Sequence, residues 1–333
     1  MNNKSEEISG EGYIYTSYGK PEYVKHAVAS TVTLRRYDSK RPVALICTRE
    51  HIDYLVKHNQ EKLFDKLVPL REEHASITGF KHNVHLYMPF EKNLYLDSDI
   101  VWCKDPDPLW TSLSVHPFTI TGIQTSDNFF GGPKHIGVLK DILLKRRQRT
   151  LNRFDLTYLS RVQTGMIYAK EELVTREVCE LAASFLQRID ETHFQSRLKE
   201  KGRSEESCEW SMAMAMSKLN LPIYPWLQGH TSPQLDFIES YTDYDSDFHN
   251  VKCTYYSDQL VYNFRGLKID WLRKLLIKTF SLIPGKGDYL ITTPYCLHFG
   301  WLHQKQPFLE FSDRTWERLT RESSSDEFPS SDE

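Results

Sequence analysis

Several features that define common protein classes are missing from this 333-residue sequence. No run of eighteen apolar residues occurs, so we predict no membrane-spanning helix, and the polar start MNNKSEEISGEG does not resemble a secretory signal. The six cysteines include no C-x-x-C pair, which argues against a zinc site. With 42 basic and 45 acidic residues, the chain has no excess of positive charge that would attract nucleic acid.

These absences favour a cytoplasmic protein with reduced cysteines, since disulfides persist mainly in oxidising compartments. Contact with a membrane surface, without an anchor, is still compatible with the sequence. Hydrophobic residues make up 40% of the chain and charged residues 26%, which is ordinary for a globular protein. A chain of this length forms one large α/β domain or two ordinary ones.

Two phosphate-binding signatures are also missing. The sequence contains neither the G-x-G-x-x-G fingerprint nor the G-x-x-x-x-G-K-[ST] loop, so we predict neither a classical dinucleotide site nor a P-loop. A nucleotide would then need another source of positive charge for its phosphates. A bound divalent metal ion supplies that charge without a glycine-rich loop.

Short apolar segments alternate with helical periodicity through the first half of the chain. The run 42–47 is almost entirely apolar, which fits a strand buried on both faces, and residues 22–36 before it have apolar residues at helical spacing. Other strand-like segments are 13–17, 93–96, 117–122, 165–169 and 295–299. The alternation predicts an α/β fold with a mostly parallel central sheet flanked by helices.

The second half of the chain is more helical and more polar. We predict helices over 170–198, 208–219 and 270–282. Residues 226–262 are polar, aromatic and poorly periodic, and we predict loops there. The acidic and serine-rich end of the chain, residues 323–333, is predicted to be disordered.

An acidic pair at the end of a predicted strand is the most informative motif. The D-x-D pattern occurs four times, but only Asp97-Ser98-Asp99 follows an apolar strand. Ligands of open α/β sheets bind at the edge where such strands end. Two carboxylates there need a positive partner, and a hard cation such as Mg²⁺ or Mn²⁺ suits their oxygens. The alternative is a helix N-cap next to a surface acid.

The residues around this pair resemble a known family. The segment 96–101, with the sequence LDSDIV, is followed by Asp105 and by Pro108-Leu109-Trp110. This arrangement is similar to the D-x-D region of glycosyltransferases with the GT-A fold, and in particular to glycosyltransferase family 8, which includes glycogenin. The resemblance rests on short motifs spread over most of the chain.

The resemblance implies a GT-A fold in one catalytic domain over residues 12–310, with a nucleotide-binding half (12–125) and a half for the donor sugar and the acceptor (126–310). It implies metal-dependent transfer of a sugar from a nucleotide-sugar, with UDP as the expected nucleotide. The acceptor is an unknown glycan, lipid, protein or small molecule. Family 8 enzymes retain the anomeric configuration, so retention is expected. The expected cofactor is Mn²⁺, or Mg²⁺ in its place.

Further segments extend the resemblance to individual site residues. His298 lies in an H-F-G tripeptide that resembles the family's third metal ligand, so the metal ion is expected on Asp97, Asp99 and His298. Gln163 and Glu209 are the candidate catalytic residues, since the resemblance places both beside the donor sugar. The residues expected to contact the nucleotide-sugar are Tyr15, Thr16, Ser17, Lys81, Asp97, Ser98, Asp99, Gly300 and Lys305.

The sequence departs from the family at some of these positions. Lys305 is followed by Q-P-F where the family has P-W, and the family's acid–glutamine pair before its late helix is missing, with Glu209 as the nearest candidate. Some residues also have a structural alternative. His298 fits a core histidine, Lys81 a solvated helix lysine, and Glu209 an acid at a helix N-terminus.

Two other functions fit the same acidic motif. A phosphatase or phosphotransferase of the haloacid dehalogenase type also has D-x-D after an apolar strand, with Asp97 as the nucleophile. Such a chain usually starts at that strand, whereas here nearly a hundred residues of α/β pattern precede it. A sugar- or nucleotide-binding module without catalytic activity is the third alternative.

Overall fold

The computed structural model describes residues 10–126, 136–200, 203–225, 233–256, 264, 267, 269–285 and 288–325. Within them lie ten α-helices: α1 Val24–Arg35, α2 Arg49–Lys57, α3 Ile77–Lys81, α4 Asp107–Leu113, α5 Ile136–Leu143, α6 Arg146–Phe154, α7 Glu172–Gln187, α8 Glu209–Lys218, α9 Asp270–Phe280 and α10 Gln306–Ser325. The described strands are β1 Glu11–Ser17, β2 Val43–Cys47, β3 Lys66–Pro69, β4 Lys92–Leu96, β5 Ile100–Trp102, β6 Phe118–Ser126, β7 Ser160–Ala169, β8 Tyr224–Pro225, β9 Gln234–Asp236, β10 Thr242–Tyr244, β11 Val251–Tyr256, β12 Tyr289–Thr292 and β13 Cys296–His298.

The largest sheet has seven described strands in the order β3-β2-β1-β4-β7-β6-β8. Strands β1 to β4, β6 and β8 run in one direction, and β7 runs antiparallel to both of its neighbours. This arrangement confirms the predicted α/β fold with a mostly parallel central sheet. Strand β2 has five buried side chains in a row, as expected for a strand that is covered on both faces.

Helices cover both faces of this sheet. Successive residues of β1 point to opposite faces, so Tyr13 packs in a cluster with α1 residues and Ile14 packs in a cluster with α8 residues such as Trp210. The parallel strands end at one edge between these layers. Strand β1 ends there at Ser17 and strand β4 at Leu96.

A small three-stranded sheet contributes to the same edge. Its order is β5-β13-β9, with β13 antiparallel to β5 and parallel to β9. The register pairs His298 with Ile100 on one side and with Asp236 on the other. A further sheet, β10-β11-β12, is antiparallel throughout.

The prediction of loops over residues 226–262 is wrong for the described part of that region, which contains β9, β10 and β11. Strands β9 and β10 have three residues each, too few to show an alternation of polar and apolar residues. Strand β9 also pairs with β13, in which the partner of Asp236 lies 62 positions later. Pairing over that separation leaves no local signal. Residues 226–232 and 257–263 lie outside the described residues.

Helix α10 was not expected from the sequence. It packs against α1, and its buried Trp316 stacks on Tyr54 of α2 with ring centroids 5.3 Å apart. The predicted end of the catalytic domain falls inside this helix. The helix also includes the first three residues of the predicted disordered tail, and Ser323 accepts a hydrogen bond of 3.0 Å from Gln60. The rest of that tail, residues 326–333, lies outside the described part.

All six cysteines are buried and none of them forms a disulfide. Burial raises the pKa of Cys47 and of Cys179 to about 12, which makes them poor nucleophiles. Among the described residues, no helix has both the length and the apolar character needed to cross a bilayer.

A buried arginine holds the beginning of the central strand β1. The guanidinium of Arg41 donates to Glu11 at 2.7 Å, to Asp38 at 2.8 Å and to Asp107 at 2.7 Å. Asp38 also accepts from the hydroxyl of Tyr13 at 2.7 Å. One cation therefore joins β1, the connection after α1 and the first turn of α4.

Replacing Arg41 by alanine is expected to lower the free energy of unfolding by about 3 kcal/mol, because three carboxylates lose their shared cation in a buried site. Urea denaturation followed by tryptophan fluorescence measures this change. The control Arg49→Ala removes an exposed arginine that pairs with Asp53 at 3.5 Å, and it should change the value by less than about 0.5 kcal/mol. Equal losses in both variants would contradict the role of Arg41.

Candidate functional site

A cavity of about 660 Å³ opens at the edge where the parallel strands end. This volume is in the range of small-molecule sites. Its wall is built by the ends of β1 and β4, by α3, α8 and β13, and by the beginning of α10. The predicted site residues in the wall are Thr16, Ser17, Lys81, Asp97, Ser98, Asp99, Gln163, Glu209, His298, Gly300 and Lys305. The fold therefore brings together every predicted site residue except Tyr15.

Tyr15 lies in the core instead. Its side chain is fully buried, and its hydroxyl accepts hydrogen bonds from Ser30 at 3.0 Å and from the Trp102 indole at 3.2 Å. The strand alternates its side chains between the two faces of the sheet, and the tyrosine faces α1. The expectation of a nucleoside contact is corrected accordingly: Thr16 and Ser17, not Tyr15, face the cavity.

The first acid of the motif, Asp97, is fixed by its neighbours. Its backbone N–H donates to the carbonyl oxygen of Gly165 at 2.9 Å. Its Oδ1 accepts from the Tyr95 hydroxyl at 2.6 Å and lies 2.8 Å from Nζ of Lys81. Its Oδ2 is 3.8 Å from Nε2 of His298. A Cβ at position 165 would stand 2.7 Å from Oε1 of Gln163 and 3.3 Å from Oδ2 of Asp97, so the glycine leaves room for both side chains.

The second acid, Asp99, also has a lysine at one oxygen and His298 near the other. Its Oδ2 accepts from Nζ of Lys305 at 2.8 Å, and its Oδ1 is 3.6 Å from Nε2 of His298. Its carbonyl oxygen accepts from the backbone N–H of Phe299 at 3.0 Å, which ties the acid to the end of β13. Burial alone would raise the pKa of Asp99, but the positive charges of Lys305 and His298 hold it well below its usual value.

The ring of His298 lies between the acids. Its Nδ1 is 3.0 Å from Oδ1 of Asp236. An ionised carboxylate only accepts hydrogen bonds, so Nδ1 carries a proton and Nε2 is the nitrogen that faces Asp97 and Asp99. The alternative of an ordinary core histidine does not fit, since both ring nitrogens face carboxylates.

Gly300 makes room for this ring. A Cβ at position 300 would stand 2.4 Å from Cε1 of His298, far inside van der Waals contact. Any other residue would displace the ring from the acids. Gly300 therefore leaves space for the ring of His298. This role is separate from its expected position beside the phosphates.

Asp236 is the site residue that the sequence analysis missed. Its Oδ2 accepts from the Trp301 indole at 3.1 Å, while Oδ1 meets His298, so both oxygens have fixed partners. Histidines that bind metal ions commonly donate their other ring N–H to a carboxylate, which orients the ring. The signal in the sequence, an acid in the short segment QLDF, does not differ from that of a surface aspartate.

The donor atoms fit a divalent cation. Asp97, Asp99 and His298 each offer one ligand atom, and these atoms lie within 4.8 Å of one another. Two carboxylate oxygens with one imidazole nitrogen suit Mn²⁺ better than Mg²⁺, because magnesium prefers oxygen ligands alone. The ring and the two carboxylates therefore form a possible site for a divalent cation.

Two lysines stand next to these ligands. Lys81 is buried, and although burial lowers its pKa, the neighbouring Asp97 raises it above the usual value. It is therefore a charged residue of the cavity wall and not a solvated helix lysine. Lys305 is placed similarly beside Asp99, at 2.8 Å. Each carboxylate has one lysine on one oxygen and His298 near the other.

Glu209 and Gln163 line the cavity from two different elements. Glu209 is the first residue of α8; burial raises the pKa of its carboxyl group, which accepts from the Ser207 hydroxyl at 3.1 Å. Gln163 lies on β7, and its Oε1 accepts from Nε2 of Gln234 at 2.7 Å, which holds the amide in place. Both side chains are polar groups of fixed position, of the kind that bind sugar hydroxyls.

Ser17 offers a hydrogen-bond acceptor to the cavity. Nε2 of the buried His51 is 3.3 Å from the carbonyl oxygen of Gly19, and its Nδ1 is 2.9 Å from Oγ of Ser17. A carbonyl oxygen only accepts, so Nε2 carries the proton, and burial lowers the pKa of His51, which keeps the ring neutral. In this tautomer the Ser17 hydroxyl donates to Nδ1 and keeps its lone pairs as acceptors.

An aromatic pair also lines the cavity. The rings of Tyr23 and His26 stack with centroids 5.8 Å apart and planes 27° apart. Burial lowers the pKa of His26 to about 4, so this ring is neutral at pH 7. Flat aromatic faces of this kind are suited to stacking with a nucleobase.

Some solved glycosyltransferase structures are similar to this chain. The glycosyltransferase GlyE of Streptococcus pneumoniae TIGR4 is 14% identical, with a TM-score of 0.43 over 98% of this chain and 66% of GlyE. The galactosyltransferase LgtC, solved with donor and acceptor sugar analogs, is 11% identical, with a TM-score of 0.49 over 91% of this chain and 95% of LgtC. Mouse xyloside xylosyltransferase 1 is 12% identical, with a TM-score of 0.40 over 68% and 87%.

No protein-family model and no curated protein matches this chain. The chain spans slightly less than two thirds of the length of GlyE, at 66%. With TM-scores below 0.5 for all three structures, these likenesses do not assign an activity. An assignment has to come from the geometry of the site.

Binding of Mn²⁺ is expected to displace a proton from His298. Burial would lower the pKa of His298, but the hydrogen bond to Asp236 and the charges of Asp99 and Asp97 raise it to about 9. The ring is protonated at neutral pH and must lose that proton to bind a metal ion. The apparent affinity should therefore rise about tenfold per pH unit up to pH 9 and level off above it. Isothermal titration in buffers of different ionisation enthalpy counts the released protons.

The variant Asp236→Asn removes the charge but keeps the size of the side chain. The pKa of His298 should fall in this variant, so fewer protons are released at neutral pH. Above pH 9, where the ring is neutral in both proteins, affinity should still be about 10- to 100-fold weaker because the ring is less firmly oriented. The control Asp243→Asn changes an exposed residue of β10 and should behave as wild type. Affinity that does not change between pH 6 and 9 would contradict the assignment of His298.

Proposed function

We propose that this protein is a metal-dependent glycosyltransferase whose donor is a nucleoside diphosphate sugar. One observation carries the proposal: Asp97, Asp99 and His298 each offer one ligand atom within 4.8 Å of the others, beside two lysines, in a cavity of about 660 Å³. A divalent cation with two ammonium groups complements a diphosphate. The resemblance of the D-x-D region to family 8 agrees with this chemistry.

The lysines have two partners in this proposal. Before ligands bind, Lys81 and Lys305 neutralise Asp97 and Asp99 at 2.8 Å each. When the carboxylates hold a cation, the two ammonium groups are released to pair with phosphate oxygens as point charges. The metal ion, when bound, stabilises the negative charge that develops on the departing diphosphate.

Glu209 and Gln163 position the donor sugar. Glycosyl transfer passes through an oxocarbenium-like centre, so much of the catalysis comes from holding donor and acceptor in the right geometry. A buried carboxyl group and a fixed amide in the cavity wall bind hydroxyl groups of the sugar ring. We propose retention of configuration on the basis of the resemblance to family 8.

Ser17 supports a uracil base. The ring N–H of uracil donates a hydrogen bond, and Ser17 offers lone pairs to the cavity because its own proton is held by His51. Cytosine has an unprotonated nitrogen at the corresponding ring position. That nitrogen and the Ser17 oxygen would both be acceptors, so no hydrogen bond could form between them. The stacked pair of Tyr23 and His26 supplies a flat face for the base. This contact, taken with the resemblance to family 8, makes UDP the nucleotide that we propose.

The phosphatase alternative is not favoured. Asp97 follows β4, and the described residues before that strand already form an α/β arrangement. Its Oδ1 is engaged by Tyr95 and Lys81, and its other oxygen faces His298. A module without catalytic activity would show the same ligand contacts, so an assay of donor hydrolysis or transfer separates it from an enzyme.

UDP is expected to bind the wild-type protein in the presence of Mn²⁺ and about 100-fold more weakly, or not at all, in EDTA. Asp99→Ala and His298→Ala should lose this metal-dependent binding, because each removes a ligand. Isothermal titration measures the affinities, and UDP-sugar hydrolysis in Mn²⁺ tests for catalysis.

The control for these variants is Asp243→Ala, an exposed acid of another D-x-D sequence, which should bind UDP as wild type does. If neither UDP nor GDP binds under any metal condition, the glycosyltransferase proposal fails. Phosphatase activity that is lost in Asp97→Asn would then support the second candidate. Binding of UDP without hydrolysis or transfer would favour the third.

Methylation of N3 of uracil removes the hydrogen that Ser17 is proposed to accept. The methylated UDP should bind the wild-type protein about tenfold more weakly than UDP, whereas Ser17→Ala should bind both ligands about equally. Competition titration measures the two affinities. Thr16→Val is the matched control, since the Thr16 hydroxyl donates to the carbonyl of Ile46 at 3.0 Å, and this variant should keep the discrimination. Equal affinity of the wild type for both ligands would contradict the contact.

A further inference from the structure

Residues 139–149 form a surface that has no part in the proposed function; they comprise most of α5, the turn after it and the start of α6. On α5, the side chains of Leu139, Ile142 and Leu143 are 62%, 58% and 81% exposed. Their spacing of three and one residues puts them on one face of the helix. In a globular protein such a face normally packs against the core, but on α5 it faces solvent.

The neighbouring helix α6 shows the usual orientation. Leu151 and Phe154 are buried in the main core cluster, so α6 attaches the helix pair to the molecule. The turn between the helices adds Leu144, which is 42% exposed. Four exposed apolar side chains therefore lie close together in the chain without being needed for the attachment of the pair.

The same segment is strongly basic. Residues 139–149 contain five basic residues and one acid, a net charge of +4 in a chain whose net charge is −3. The basic residues are Lys140, Lys145, Arg146, Arg147 and Arg149. The acid, Asp141, is buried and lies 3.7 Å from the Arg146 guanidinium, whereas Lys140, Lys145 and Arg149 are exposed.

We propose that this basic and apolar surface docks on a membrane that contains anionic lipids. Exposed leucines beside lysines and arginines are typical of an interfacial helix, in which the apolar side chains enter the boundary of the acyl chains and the basic ones meet the headgroups. A second copy of this chain is disfavoured, since two such surfaces would repel each other. Nucleic acid would match the charges but leave the apolar side chains in water.

The topology connects this surface to the cavity edge. Strands β4 and β6 are both antiparallel to β7, so β6 ends and β7 begins at the edge where Asp97 lies. Ser126 at the end of β6 pairs with Ser160 at the beginning of β7. The segment that contains α5 and α6 joins these two positions. Both ends of the connection that carries residues 139–149 therefore lie at the cavity edge.

Sedimentation with vesicles tests the proposal on the full chain without any nucleotide or metal ion, so its outcome does not depend on the proposed enzyme activity. The wild type should bind vesicles of phosphatidylcholine with about 30% phosphatidylglycerol at least about tenfold better than pure phosphatidylcholine, and binding should weaken as salt rises. Leu139→Ser/Leu143→Ser and Lys145→Glu/Arg149→Glu should each lower the partition coefficient about tenfold or more.

Matched controls change exposed residues elsewhere on the surface. Leu173→Ser removes an apolar side chain that is 68% exposed, and Arg49→Glu/Arg321→Glu reverses two exposed charges. Both controls should bind anionic vesicles within about twofold of the wild type. Circular dichroism of every variant shows whether weaker binding comes from the changed surface residues or from unfolding.

Several outcomes would overturn the proposal. These are a wild type that does not bind anionic vesicles, variants of residues 139–149 that bind as wild type, or a loss that occurs only in Trp271→Ser/Leu275→Ser, the exposed apolar residues of α9. Binding of a labelled RNA, but not of vesicles, would assign the surface to nucleic acid. A wild-type dimer that ignores vesicles and becomes a monomer in Leu139→Ser/Leu143→Ser would assign it to a second copy.

Discussion

The two carboxylates side by side at the end of a buried strand need positive charge nearby, and the surrounding residues supply it. Asp97 and Asp99 would repel each other in a partly buried site without positive charge nearby. Lys81 and Lys305 pair with one oxygen each, and His298 faces the other two. The neighbouring glycines and the carboxylate behind the histidine keep these five side chains in place.

The small sheet β5-β13-β9 holds the acids and the histidine of the site next to one another. Strands of three residues contribute little stability, but this sheet brings three parts of the chain into register. Strand β5 follows Asp99 directly, β13 ends in His298 and β9 ends in Asp236. Main-chain pairing therefore sets the distances between the groups of the site, which is more rigid than placing them on separate loops.

Charge is distributed unevenly over the molecule, and the distribution bears on its partners. The acids of the motif lie in the cavity wall with their lysines, where the proposed cation and diphosphate would balance the charge. By contrast, Lys140, Lys145 and Arg149 are exposed and lie among exposed leucines in residues 139–149. Such segregation in a chain of net charge −3 concerns binding and not folding, because surface charges add little to stability.

Local sequence was enough to predict the α/β class and the acidic pair, since buried runs such as 42–47 read as strands and the pair follows one of them. It was not enough for Asp236, Tyr15 or helix α10. Asp236 contributes because β9 pairs with a strand 62 positions later, and Tyr15 is excluded because β1 turns it towards α1. Which strands are neighbours, and which face a side chain takes, depend on long-range pairing that only the tertiary structure decides.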